Sequence, residues 1–193
     1  ALDLKDATVC VTQGTTTELN LQDFSNQNRL NISALTFEDT DAVNAAYNSG
    51  QCDAFTNDRS QLAALRGAYD NPDDHVILPE TISEEPLGPV VPHGDDQWFD
   101  VVKTVMSILV YGEAYSVTSG NIPSSATGDT KVDRLLGFEG SYGQESLGIS
   151  QTAAQDVLRA VGNYGEIYDR NLGPGGIDLP RENGHNALWA DAT

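Results

Sequence analysis

The apolar run Ala7-Thr8-Val9-Cys10-Val11 ends at Gly14 and gives way to Thr15-Thr16-Thr17-Glu18-Leu19, a strand that turns through glycine and threonine into a helix. The alternation continues through the first half of the chain. Apolar spacing predicts strands over 7–12, 31–37, 53–56 and 75–78, and helices over 16–26, 40–48 and 60–69. Asp39 or Thr40 is placed to cap the second helix, and Gly50 stands where a helix C-terminus favours glycine. Strands and helices alternating over such short connections pack as a mainly parallel sheet covered by helices. In sheets of this kind ligands bind at the carboxyl ends of the strands, where both Gly14-Thr15-Thr16 and Asn57-Asp58 fall.

The Gly14-Thr15-Thr16 turn has a chemistry of its own. A helix N-terminus offers unpaired backbone N–H groups and the positive end of the helix dipole, and threonine adds hydroxyl donors, so the turn can hold an anion such as a carboxylate. Glu18 lies three residues after Thr15, the spacing of a capping box in which the Thr15 hydroxyl accepts from Glu18 N–H and the carboxylate accepts from Thr15 N–H. These residues therefore read either as a well-capped helix or as an anion site. Asp58 has a similar double reading, as a cap for the 60–69 helix or as a carboxylate presented at a strand end.

The second half has a different texture. Pro86, Pro89 and Pro92 hold 84–92 extended and exclude a helix, so this stretch reads as a crossover or edge strand. Asp95 or Asp96 then caps a long helix carrying Trp98, Phe99, Val102, Val105, Met106 and Leu109, a wide apolar face that must be buried against something. Further helices are predicted over 131–136, over 151–161 with Ser150 as cap, and over 164–172. The Gly173-Pro174-Gly175-Gly176 stretch opens a loop-rich tail that extends to 186–189. This half has helices and hardly a strand.

The formal charge of −19, from 29 acidic and 10 basic residues among 193, repels nucleic acid and anionic lipid surfaces, so no nucleic-acid partner is expected. With 39% hydrophobic and 20% charged residues the chain has the composition of a folded protein. No apolar run reaches the roughly 18 residues that suggest a membrane-spanning helix. Nor does a basic, apolar leader stand at Ala1, and the abrupt start at a strand reads as a mature piece or a fragment.

Cys10 lies in the first strand, and Cys52 lies just before the strand over 53–56, its sheet neighbour in a βαβαβ topology. They read as a disulfide, with two separately buried thiols as the other reading. Closing that loop would stabilise the fold by roughly 4 kcal/mol in the chain-entropy model. It would also imply an oxidising compartment, the periplasm or outside.

Other chemistry finds little support. His75, His93 and His185 are scattered, and no Gly-x-Ser-x-Gly elbow is present, so no catalytic residue is expected. No lysine follows the threonine cluster as a phosphate-binding loop demands, and no strand precedes Gly173-Pro174-Gly175-Gly176. Asn71-Pro72-Asp73-Asp74 lacks calcium-loop spacing and reads as a turn, and neither metal nor cofactor is expected.

Taken together, the strand leading to Gly14-Thr15-Thr16, the stretch Gly50-Gln51-Cys52-Asp53-Ala54-Phe55-Thr56-Asn57-Asp58, the Pro86-Leu87-Gly88-Pro89 crossover and the capped Trp98-Phe99 helix resemble the polar amino-acid-binding proteins of bacterial ABC importers. Val161-Gly162-Asn163-Tyr164-Gly165-Glu166-Ile167-Tyr168-Asp169-Arg170-Asn171, Asn186-Ala187-Leu188-Trp189 and the cysteine pair are similar to the general L-amino-acid-binding periplasmic subfamily. The likeness runs through essentially the whole chain. It implies a periplasmic-binding-protein-like fold of type II, a clamshell of two α/β lobes that close on a free amino acid and deliver it to a permease in the inner membrane. By the same resemblance, Thr16 with Thr15 or Thr17 would bind the ligand α-carboxylate, and Asp58 would accept from the α-ammonium.

The family's first lobe begins before the strand that opens here near Leu4, and that part carries the arginine that completes the site. Arg29, Arg59 and Arg66 do not match its position. The resemblance thus implies a complete lobe two over 1–88, followed over 89–193 by the crossover strand and C-terminal helices of an incomplete lobe one. The exposed helical part would pair with a missing chain or with a second copy of itself. Two other functions share the fold: a periplasmic lyase acting on amino-acid-derived compounds, and a receptor-linked ligand-sensing module.

Overall fold

Val9, Cys10 and Val11 are each at most 1% exposed and form the centre of a three-stranded parallel sheet. The computed structural model describes residues 1–140, 143–179, 181 and 186–188. It divides into two units, Ala1–Leu87 and Gly88–Thr193.

In the first unit the strands are β1 (Thr8–Thr12), β2 (Ser33–Phe37) and β3 (Ala54–Phe55), in the order β2-β1-β3. Thr8 stands opposite Ser33 and Thr12 opposite Phe37, whereas Val9 and Cys10 stand opposite Ala54 and Phe55. Backbone bonds from Asp53 N to Thr8 O (2.9 Å) and from Thr56 N to Cys10 O (3.1 Å) extend the β1–β3 pairing at both ends of β3. Successive residues of β1 face opposite sides of the sheet. Val9 and Val11 pack on Leu21 of α1 (Thr16–Asn28), while Cys10 packs on Val43 and Ala46 of α2 (Thr40–Asn48). Both faces of the central strand are thus covered, which explains its unbroken apolar run.

The short-range signals hold. Asp39 is the cap of α2, its carboxylate accepting from Ala42 N, and Gly50 follows the last capping residue at φ +75°. The helix over 60–69 is α3 (Arg59–Gly67), with Ala63 buried and Leu62 and Leu65 half-buried. The strand expected over 75–78 does not form. These residues pair with no strand among those described, and Val76 is 77% exposed. His75 is instead engaged through its ring, Nδ1 lying 2.9 Å from the Tyr47 hydroxyl. The 84–92 stretch is neither helix nor paired strand.

The second unit contains α4 (Asp96–Ala114), α5 (Thr130–Leu135), α6 (Gln144–Leu147), α7 (Ala153–Val161) and α8 (Tyr164–Asn171), and no strand among the described residues. Its core is Ile108, Val117, Leu135, Leu136, Ala154 and Leu158. Asp95 caps α4 through Trp98 N, while Trp98 and Phe99 themselves remain half exposed. Ser150 is not the cap of α7. Its hydroxyl accepts from Thr152 N, and the helix begins two residues beyond the expected start. At α8 a capping box closes between Asn163 and Glu166. Burial pushes the Glu166 carboxyl up, but bonds from the Ser119 hydroxyl and from the backbone of Asn163 and Ser119 outweigh it and leave it below its usual range. His185 and Trp189 lie outside the described residues, and Asn186, Ala187 and Leu188 are not helical.

Candidate functional site

The carboxyl end of β1 runs into α1 through a turn that leaves backbone donors open. Gly14 has φ +73°, a conformation that suits glycine, and Thr15 takes an extended backbone as the helix cap. The Thr15 hydroxyl donates to Thr12 O at 2.7 Å and accepts from Glu18 N at 3.3 Å. The returning arm of the capping box differs from the expected one. Glu18 accepts from Gly14 N at 2.6 Å instead of from Thr15 N. The amides of Thr15, Thr16 and Thr17 consequently have no acceptor among the described residues. Three open donors at the positive end of a 13-residue helix suit an anion.

Asp58 follows β3 and occupies the position before α3. Its backbone carbonyl accepts from Leu62 N at 2.9 Å, but its carboxylate caps nothing and is exposed. Asn57 holds the turn instead, its side-chain oxygen accepting from Asp58 N at 2.8 Å. The capping role that the sequence left open is therefore not what the Asp58 side chain does. Because β1 and β3 are hydrogen-bonded parallel neighbours, about 4.8 Å apart in this direction, the fold brings Thr15-Thr16-Thr17 and Asp58 to the same edge of the sheet. In the order β2-β1-β3 this edge is the switch point at which doubly wound sheets open a crevice.

Several polar groups at this edge carry no signal in the sequence. Glu85 reaches α1, one carboxylate oxygen accepting from the Thr16 hydroxyl at 3.0 Å and the other from Asn20 Nδ2 at 2.7 Å. Thr12 Oγ1 is buried without a partner among the described residues. The three arginines of this unit serve the framework. Arg29 ends α1 in the left-handed region at φ 56°, Arg59 donates to Pro79 O at 3.5 Å, and Arg66 donates to Pro72 O at 2.9 Å. The Asn71-Pro72-Asp73-Asp74 stretch is a 3-10 turn, and no group of ligating side chains among the described residues could hold a metal.

Cys10 and Cys52 are joined in a disulfide beneath α2, with Cα atoms 5.7 Å apart.

No family model matches the chain. The general L-amino acid-binding periplasmic protein AapJ of Rhizobium johnstonii is 45% identical over 192 residues, covering 98% of this chain and 56% of that protein. The glutamate/glutamine/aspartate/asparagine-binding protein BztA of Rhodobacter capsulatus is 41% identical over 192 residues, with 98% and 56% covered. Among solved structures, an ABC transporter/periplasmic binding protein from Brucella ovis with glutathione bound matches at a TM-score of 0.88 and 43% identity, over 98% of this chain and 60% of that one. The chain spans a little over half the length of these relatives. It is a homologue, over nearly all of its own length, of the amino-acid-binding periplasmic proteins of ABC transporters.

Proposed function

We propose that this chain is part of a periplasmic solute-binding protein that takes up free L-amino acids, of broad polar specificity, and hands them to an ABC permease in the inner membrane. The observation that carries the reading is the placement, at the carboxyl ends of two neighbouring strands, of the open amides of Thr15, Thr16 and Thr17 and of the Asp58 carboxylate, which caps no helix. Donors at a helix N-terminus suit an α-carboxylate, and an exposed aspartate suits an α-ammonium. Together they match the zwitterionic head that all free amino acids share. Glutathione, bound in the Brucella relative, carries the same head on its γ-glutamyl end.

Residues 1–88 act as one complete lobe, and 89–193 supply helices of the other. The part of the relatives that this chain does not span contributes the remaining ligand contacts and covers the half-exposed Trp98 and Phe99, a place that a second copy would otherwise take. The protein is a binder and not an enzyme, so affinity for the zwitterion is the whole of its chemistry. Each charged contact is worth about 1.5 to 3 kcal/mol, so losing two or three weakens binding by several orders of magnitude, towards the millimolar range.

The test is calorimetry of the 193-residue chain with glutamine, glutamate, histidine and leucine, together with amide NMR and light scattering. Saturable shifts centred on Thr15, Thr16, Thr17 and Asp58, lost in Thr16→Ala and Asp58→Ala, are expected. Shifts centred elsewhere, or mutants that bind as the parent does, would sink the site.

A further inference from the structure

Thr16 and Asn20 lie four residues apart, on the same face of α1, so that their side-chain donors can meet one carboxylate between them. Glu85 fills that fork, each of its oxygens taking one donor. It comes from a stretch with no ladder of its own, in which Leu87 is 84% and Val90 95% exposed. Pro86 holds the Glu85 backbone extended, so the side chain is presented from a stiffened strap.

We propose that Glu85 is an internal competitor for the ligand carboxylate, a latch that fastens the strap over the first turn of α1 until an amino acid displaces it. A hydroxyl has one proton to donate. While the Thr16 hydroxyl serves Glu85 it cannot serve a second carboxylate, and two carboxylates at one donor set repel each other. A ligand that engages Thr16 through this hydroxyl must therefore release Glu85, and with it the strap. Site occupancy is thereby coupled to the freedom of the stretch that leads into the second unit. The competition rests on the amino-acid-binding reading proposed above, whereas the latch does not.

The experiment uses the 193-residue chain and its Glu85→Ala and Glu85→Gln variants, with backbone ordering read from heteronuclear NOE values over 83–88 and with the Asn20 side-chain amide as reporter. In the parent the strap is ordered. It loosens in Glu85→Ala, loosens less in Glu85→Gln, and loosens in the parent when glutamate saturates the site. Glutamate binds Glu85→Ala about tenfold or more tightly than the parent, the scale of one charged contact. Unchanged strap order in Glu85→Ala overturns the latch, and equal affinity in parent and variant overturns the competition. Failure of every amino acid to bind either protein counts against the pocket, and strap order alone then decides for or against the latch.

Discussion

Glu18 accepts the backbone N–H of Gly14 at 2.6 Å while its own N–H donates to the Thr15 hydroxyl at 3.3 Å, so one residue locks both sides of the turn that presents the open amides. Removing the carboxylate releases an N–H in a glycine turn at φ +73° and loosens the first turn of α1. Glu18→Ala should cost about 0.5 to 2 kcal/mol of stability, the range of other capping losses. Glu18→Gln, which keeps an acceptor, should cost less. Urea unfolding of the three proteins checks this, and an unmoved midpoint in Glu18→Ala would mean that the turn does not depend on the contact.

Much of the first unit was legible because its signals are local. The double-sided apolar run of β1, the Asp39 cap and the glycine after α2 each act within a few residues. The 75–78 stretch misled because Val76, Ile77 and Leu78 have strand-like composition but find no strand to pair with among the described residues, and pairing is a tertiary matter. Ser150 misled for a local reason, since its hydroxyl bonds to Thr152 N before the helix begins. Glu85 could not be found by periodicity at all. Its partner Thr16 lies 69 residues away, and only the folded path of the strap brings them together.

The Cys10–Cys52 bond ties the central strand to the residue two places before β3 and encloses α1, β2 and α2, across a sequence separation of 42. Its reduction frees the unfolded chain more than the folded one. Stability of the first unit should therefore fall by roughly 4 kcal/mol in the chain-entropy model. Denaturant melts with and without a reductant, and of a Cys10→Ala/Cys52→Ala double variant, measure this. Signals from the Ile108 and Leu158 core of the second unit should not follow the change.

Asp133 is 1% exposed, and its carboxylate accepts from Thr127 N (2.7 Å), Thr127 Oγ1 (2.9 Å) and Gly128 N (2.9 Å). The Thr127 backbone bond leads in holding its carboxyl below the usual range. A carboxyl lowered on folding stabilises the protein above its unfolded value, about 3.9 for aspartate, and that contribution is lost as pH falls through the lower folded value. Asp133→Asn turns an amide donor towards groups that are themselves donors. The variant should melt well below the parent at pH 7, and the gap should narrow in acid below the ordinary aspartate range. A gap of equal size at both pH values would show that charge is not the source of the stabilisation.

Gly112 of α4 sets how closely α7 can approach. A β-carbon there would stand 2.7 Å from Leu158 Cδ2 and 3.3 Å from Asn163 Cβ. Neither neighbour has room to yield. Leu158 is fully buried, and Asn163 is 4% exposed and donates through Nδ2 to Val117 O at 2.9 Å. The overpacking cost of about 1 to 3 kcal/mol exceeds the gain of up to about 1 kcal/mol that alanine brings to a helix interior over glycine. Gly112→Ala should therefore destabilise the second unit. Shortening the obstructing side chain tests the cause directly, because in Gly112→Ala/Leu158→Ala the new methyl enters space that Leu158 has left. The double variant should lose less than the sum of the two single losses. Strict additivity in that cycle would show that the Leu158 contact does not explain the need for glycine at this position.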